Sequence, residues 1–89
     1  MAQAIVWQGI EVIITYTADP YITGFDHIEL RATERIPVTE TGYRSHFMPA
    51  VELALFADVA DFVRQWLDQA GESKVWLKYR KNSQQLSLF

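Results

Sequence analysis

The sequence predicts an α+β fold from three observations. Residues 11–17 are a run rich in β-branched and aromatic residues, apolar and polar residues alternate from His27 to Ala32 within a second strand-like run at 25–32, and apolar residues recur at helical spacing over residues 59–70. The expected architecture is two to three antiparallel strands with one amphipathic helix packed on a face, a final strand as an option, and a flexible C-terminal tail. Eighty-nine residues suffice for one small domain, which buries about two thirds of the surface its unfolded chain exposes. Residues 1–81 are assigned to that domain and residues 82–89 to the tail.

The first strand is centred on Glu11-Val12-Ile13-Ile14-Thr15-Tyr16-Thr17, rich in β-branched residues, with Val12, Ile14 and Tyr16 on one face. Trp7-Gln8-Gly9-Ile10 leads into it, and Gly9 suits a bulge or the start of a turn. Asp19-Pro20 and Gly24 mark the connection to a second strand at 25–32, where Ile28, Leu30 and Ala32 point one way and His27, Glu29 and Arg31 the other. Ile36-Pro37-Val38 reads as extended, Glu40-Thr41-Gly42 as a turn, and residues 43–47 as a third strand with Tyr43, Ser45 and Phe47 opposite Arg44 and His46. Pro49 opens either a helical turn or an extended crossover.

The helix has the firmest signature. Val59, Phe62, Val63, Trp66, Leu67 and Ala70 form one apolar stripe, Asp58 is placed to cap the N-terminus, and Gly71 stands where a left-handed C-terminal cap is expected. Residues 75–80 (Val-Trp-Leu-Lys-Tyr-Arg) have strand-like composition, with a short helix as the alternative. Trp7, Trp66 and Trp76 read as core anchors, Trp76 lying on a strand face that solvent can reach.

Composition narrows the classes of function. There are no cysteines, so disulfides and thiolate metal sites are excluded, which fits a reducing cytoplasm. The start of the sequence lacks the pattern of a signal peptide, and no apolar run approaches the ~20 residues of a membrane span, so a cytoplasmic protein with no membrane partner is expected. Residues 1–71 carry ten acidic and four basic side chains, net −6, whereas residues 72–89 carry Lys74, Lys78, Arg80 and Lys81 against Glu72 alone, net +3. An acidic body argues against strong direct nucleic-acid binding. The basic segment is suited to touching DNA or an acidic partner surface, or simply to keeping the tail solvated.

Asp26, His27 and Glu29, with Arg44 and His46 on the third strand, are the residues from which acid–base or metal chemistry would have to be built. Alternation makes a polar stripe the default on a half-exposed sheet, and Ser45 and His46 point to opposite faces, so no catalytic, metal-binding or cofactor-binding residue is assigned. No phosphate loop, zinc spacing or dinucleotide fingerprint is present. Tyr43, Arg44 and His46, together with Lys78, Arg80 and Lys81, are candidates for a secondary contact with a second protein partner, since Tyr and Arg are favoured interface anchors. The competing expectation is a turn whose aromatics complete the core.

The last five residues of the sequence are Gln85, Leu86, Ser87, Leu88 and Phe89. This string resembles the short peptide by which bacterial replication and repair proteins dock on the ring-shaped DNA sliding clamp: a Gln, an aliphatic residue, a small or acidic residue, Leu and Phe. The resemblance covers the tail alone. It implies that Leu88 and Phe89 enter an apolar cleft, that Leu86 packs at its mouth, that the Gln85 amide occupies a small polar pocket, and that Ser87 is a spacer. It implies a non-enzymatic adaptor in DNA replication or repair. The alternatives are a clamp-tethered DNA-processing enzyme and a structural domain whose tail completes its own core.

Overall fold

The computed structural model describes residues 2–19 and 21–86, the last four of these by their backbone alone. In chain order the elements are β1 (Ala2–Trp7), β2 (Ile10–Thr17), β3 (Phe25–Ala32), β4 (Tyr43–Pro49), α1 (Ala50–Leu53), α2 (Val59–Ala70) and α3 (Lys74–Leu86). The four strands form one antiparallel sheet in the order β1-β2-β3-β4, so each strand pairs with its neighbour in sequence. The α+β class is therefore correct, but the strands number four rather than two or three.

The additional strand is β1. Residues 7–10 do not lead into one long strand; they fold back on it, with Trp7 opposite Ile10 and Gln8 and Gly9 both at positive φ, 48° and 82°. Positive φ at both central positions is the signature of the two-residue hairpin turn whose twist matches that of the flanking strands. Gly9 thus marks a turn, one of the two roles expected of it.

Register sorts the side chains into an inner and an outer face. Ile5 faces Val12, Ile14 faces Leu30, and Ile28 faces His46, all on the inner side, where Val12, Ile14, Ile28 and Leu30 have no solvent exposure at all. The inner side is covered by α2, whose Val59, Val63 and Leu67 are buried and whose Phe62 and Trp66 are half-buried. Asp58 caps this helix by accepting from the Asp61 amide at 2.7 Å. Gly71, in contrast, has φ −69° and an ordinary right-handed conformation. It is required there for space, because a Cβ would stand 2.9 Å from the Leu67 carbonyl oxygen and from the Trp7 ring.

Residues 75–80 are helical. Ser73 caps the start of α3, its hydroxyl accepting from the Trp76 amide at 3.2 Å. Trp76, 2 % exposed, packs against Trp7 with ring centroids 5.7 Å apart, while Tyr79 carries the Arg35 guanidinium over its ring at 4.5 Å. The strand expected here is overruled by tertiary packing: spacing of three and four residues brings Trp76, Tyr79 and Arg80 onto the body together, which alternation would not. The helix also runs through the boundary drawn at residue 81 and reaches Leu86. Pro49 closes β4 and caps α1, so the segment that follows begins as a helical turn.

Candidate functional site

Two surfaces gather the polar and aromatic residues singled out in the sequence. The first is β4, which among the described residues is an edge strand paired only with β3. On its outer face Tyr43 lies under the Arg31 guanidinium, 5.1 Å from Cζ to the ring centroid, and Phe47 stacks beside His27 at 4.6 Å and Tyr21 at 6.1 Å. On its inner face His46 meets Trp66 at 4.7 Å and Phe62 at 6.1 Å, and Arg44 reaches over Trp66 at 6.0 Å. Loss of solvent, and secondarily the Arg44 charge, hold the His46 pKa below its ordinary value. Phe56, Phe62, Gln65, Trp66 and Gln69 border a hollow of about 330 Å³ beside this cluster.

Tyr43, Arg44 and His46 therefore do share one element, but on two sides of the sheet. The basic candidates of α3 divide as well. Arg80 is tied to the body, donating to the Gln8 carbonyl at 3.2 Å and pairing with Glu34 at 3.8 Å over the Trp76 ring. Lys78 and Lys81 are exposed.

The polar group of β3 is split in the same way. His27 and Glu29 face outward, where His27 Nε2 lies 2.7 Å from Ser45 Oγ and Glu29 accepts from Arg31 at 2.8 Å. Asp26 faces inward and is only 5 % exposed. Its carboxylate accepts from the Tyr16 hydroxyl at 2.6 Å and from the Asp19 amide at 2.9 Å, and the bond to Asp26 raises the Tyr16 pKa. The structure does not bring Asp26 together with His27 and Glu29, so no acid–base set is assembled from the three.

Asp26 belongs instead to the second surface, which sequence reasoning missed. A groove of about 540 Å³ opens between the far ends of β2 and β3, α1 and the start of α2, bordered by Tyr16, Asp26, Leu53, Ala54, Phe56, Ala57, Asp58 and Val59 among others. Its walls are mostly apolar, with carboxylates at Asp26 and Asp58. One signal for it was available: alternation places Asp26 on the same face as Ile28, Leu30 and Ala32, a lone charge in an inward register.

Of the clamp-like string, Gln85 and Leu86 form the end of α3 with side chains outside the described residues, and Ser87, Leu88 and Phe89 lie outside them altogether. Among the described residues no helix is long and apolar enough to cross a membrane.

No curated protein and no solved structure matches the chain. A family model does: residues 1–76 match the one described as the KlcB third domain, and this span takes in the whole sheet, α1, α2 and the start of α3. The chain belongs to the KlcB third-domain family.

Proposed function

We propose that this chain is a non-enzymatic adaptor that docks on the bacterial DNA sliding clamp through Gln85, Leu86, Ser87, Leu88 and Phe89, and that it acts in the cytoplasm in DNA replication or repair. The single observation that carries the reading is the gapless agreement of these five consecutive residues with the clamp-docking pattern.

The placement of α3 supports it. The last described side chains of this helix to meet the body are Tyr79 and Arg80, and Lys81 and Asn82 are already exposed. A docking segment that starts beyond them is separated from the residues that hold the fold. Gln85 and Leu86 occupy the final helical turn, which must open for the five residues to span two pockets, and terminal turns of helices open at little cost. The division of Asp26 from His27 and Glu29 favours an adaptor over a tethered enzyme.

Burying three large apolar side chains yields about 5–9 kcal/mol gross. Ordering the segment and losing translational freedom remove several kcal/mol of this, so the apolar contacts alone fall short of the roughly −8 kcal/mol of a micromolar complex, and the hydrogen bonds of Gln85 and the main chain are needed to reach that range. Such a contact exchanges readily among competitors for one cleft. The β4 surface, with Tyr43 and Phe47 exposed, offers the body a place for a second protein partner.

The test is a pull-down of purified bacterial clamp by the full chain and by Leu88→Ala and Phe89→Ala variants. Clamp capture by the unaltered chain and its loss in both variants is the expected result; undiminished capture by the variants sinks the proposal.

A further inference from the structure

The sequence separates acidic from basic residues, and the fold separates them in space. The residues that line the groove at Asp26 all fall in two stretches without lysine or arginine, residues 1–30 and 45–63. Its floor is Leu53, Ala54, Ala57 and Val59; its carboxylates are Asp26 and Asp58, and the same helices add Glu52 and Asp61. Among the described residues Asp26 accepts hydrogen bonds only from neutral donors, the Tyr16 hydroxyl and the Asp19 amide, and no cation pairs with it.

The complementary surface is on α3. Trp76, Tyr79 and Arg80 turn one side of this helix to the body, which leaves Lys74, Leu77, Lys78 and Lys81 together on the other at i, i+3, i+4 and i+7. All four are exposed, Leu77 by 56 %. Among the described residues none of the three lysines makes an ion pair. Lys74 and Lys78 are like charges four residues apart, an arrangement that weakens a helix standing alone. One apolar side chain ringed by three uncompensated ammonium groups is the counterpart of an apolar groove ringed by uncompensated carboxylates.

The two surfaces of one molecule cannot meet. Arg80 anchors α3 at Gln8, beside the start of β2, whereas the groove begins at Tyr16; the run of β2 between Ile10 and Tyr16 is about 20 Å at ~3.3 Å per residue. We propose that the groove receives the Lys74, Leu77, Lys78 and Lys81 face of α3 from a second copy of this chain. The contact is heterologous, groove to helix, so each copy keeps one unused surface and assembly continues head to tail unless a ring closes. It is small and charge-driven, hence weak and weakened further by salt. It is independent of the clamp reading, because its test contains no clamp.

The experiment is sedimentation of the full chain over a range of concentrations at low and high salt, with two variants that each block one surface. Ala54→Arg fills and recharges the groove, and Leu77→Glu spoils the helix face; both positions are exposed. The mass of the unaltered chain is expected to rise with concentration at low salt and to fall back at high salt, and each variant alone to remain monomeric. An equimolar mixture of the two variants is expected to stop at a one-to-one dimer, since only one intact groove and one intact helix face are available per pair. That result also shows that both variants are folded. An unaltered chain that stays monomeric throughout, variants that assemble as it does, or a mixture that stays monomeric would each overturn the proposal.

Discussion

The Trp7 indole N–H donates to Asp68 Oδ1 at 2.8 Å, so the end of β1 is tied to the last turns of α2 across 61 positions of sequence. The same ring is 5 % exposed and packs on Trp76 of α3. Trp7 is therefore the point at which sheet, α2 and α3 are joined. Trp7→Phe keeps an aromatic ring but loses the donor and part of the volume, and is expected to cost about 1–3 kcal/mol. For a domain of this size that lowers Tm by roughly 4–8 °C per kcal/mol, which thermal unfolding followed by circular dichroism will register.

Gly71→Ala gives a sign that separates two explanations of this glycine. Its φ of −69° is open to any residue, and on backbone grounds alone alanine would stabilise the chain by about 0.4–1 kcal/mol. The added Cβ, however, would stand 2.9 Å from both the Leu67 carbonyl oxygen and the Trp7 ring. The expected outcome is a loss of about 1–3 kcal/mol in denaturant unfolding. A gain would mean that Trp7 yields without cost.

Asp26 holds the β2–β3 connection. Besides Tyr16 it fixes the Asp19 amide, and Asp19 in turn accepts from the Thr23 and Gly24 amides at 2.7 and 3.0 Å. Asp26→Ala removes the acceptor of two part-buried hydrogen bonds and is expected to cost about 1–3 kcal/mol, with faster amide exchange at Asp19, Thr23 and Gly24. Asp26→Asn retains an accepting oxygen and is expected to cost less.

His46 sets a pH dependence. Its folded pKa lies below the ordinary 6.5, because the imidazole sits against Trp66 and Phe62 and near Arg44. The protonated form is thus disfavoured in the folded state. Its contribution to stability is fully present above the unfolded pKa and is lost as pH falls below 6.5, levelling off below the folded pKa. Tm of the unaltered chain is expected to fall more steeply than that of His46→Gln through this interval. Parallel curves would contradict the assignment.

The legible and illegible parts of this chain differ for physical reasons. β2, β3 and α2 could be read because each has one buried face and one period, and Asp58 announces the start of α2. β4 was readable as a strand, but its edge position was not, since strand order is not encoded in alternation. β1 was missed because Ala2–Trp7 is uniformly apolar apart from Gln3 and the two-residue turn at Gln8 and Gly9 carries only one glycine. The helical state of residues 75–80 was hidden by β-branched and aromatic composition. What decides it is the meeting of Trp76 with Trp7 and of Tyr79 with Arg35, contacts between residues far apart in sequence. The groove at Asp26 was invisible for the same reason: its walls come from β2, β3, α1 and α2, and only the lone inward charge pointed to it.

The central claim, docking on the sliding clamp, is tested most directly by titrating the fluorescently labelled full chain with purified bacterial clamp, with and without an unlabelled clamp-binding peptide. The account predicts saturable binding in the micromolar range, displacement by the peptide, and a loss of about 1.5–3 kcal/mol, roughly ten- to a hundredfold in Kd, on Leu88→Ala. Absence of binding at clamp concentrations well above that range, or binding that neither the peptide nor Leu88→Ala diminishes, would contradict it.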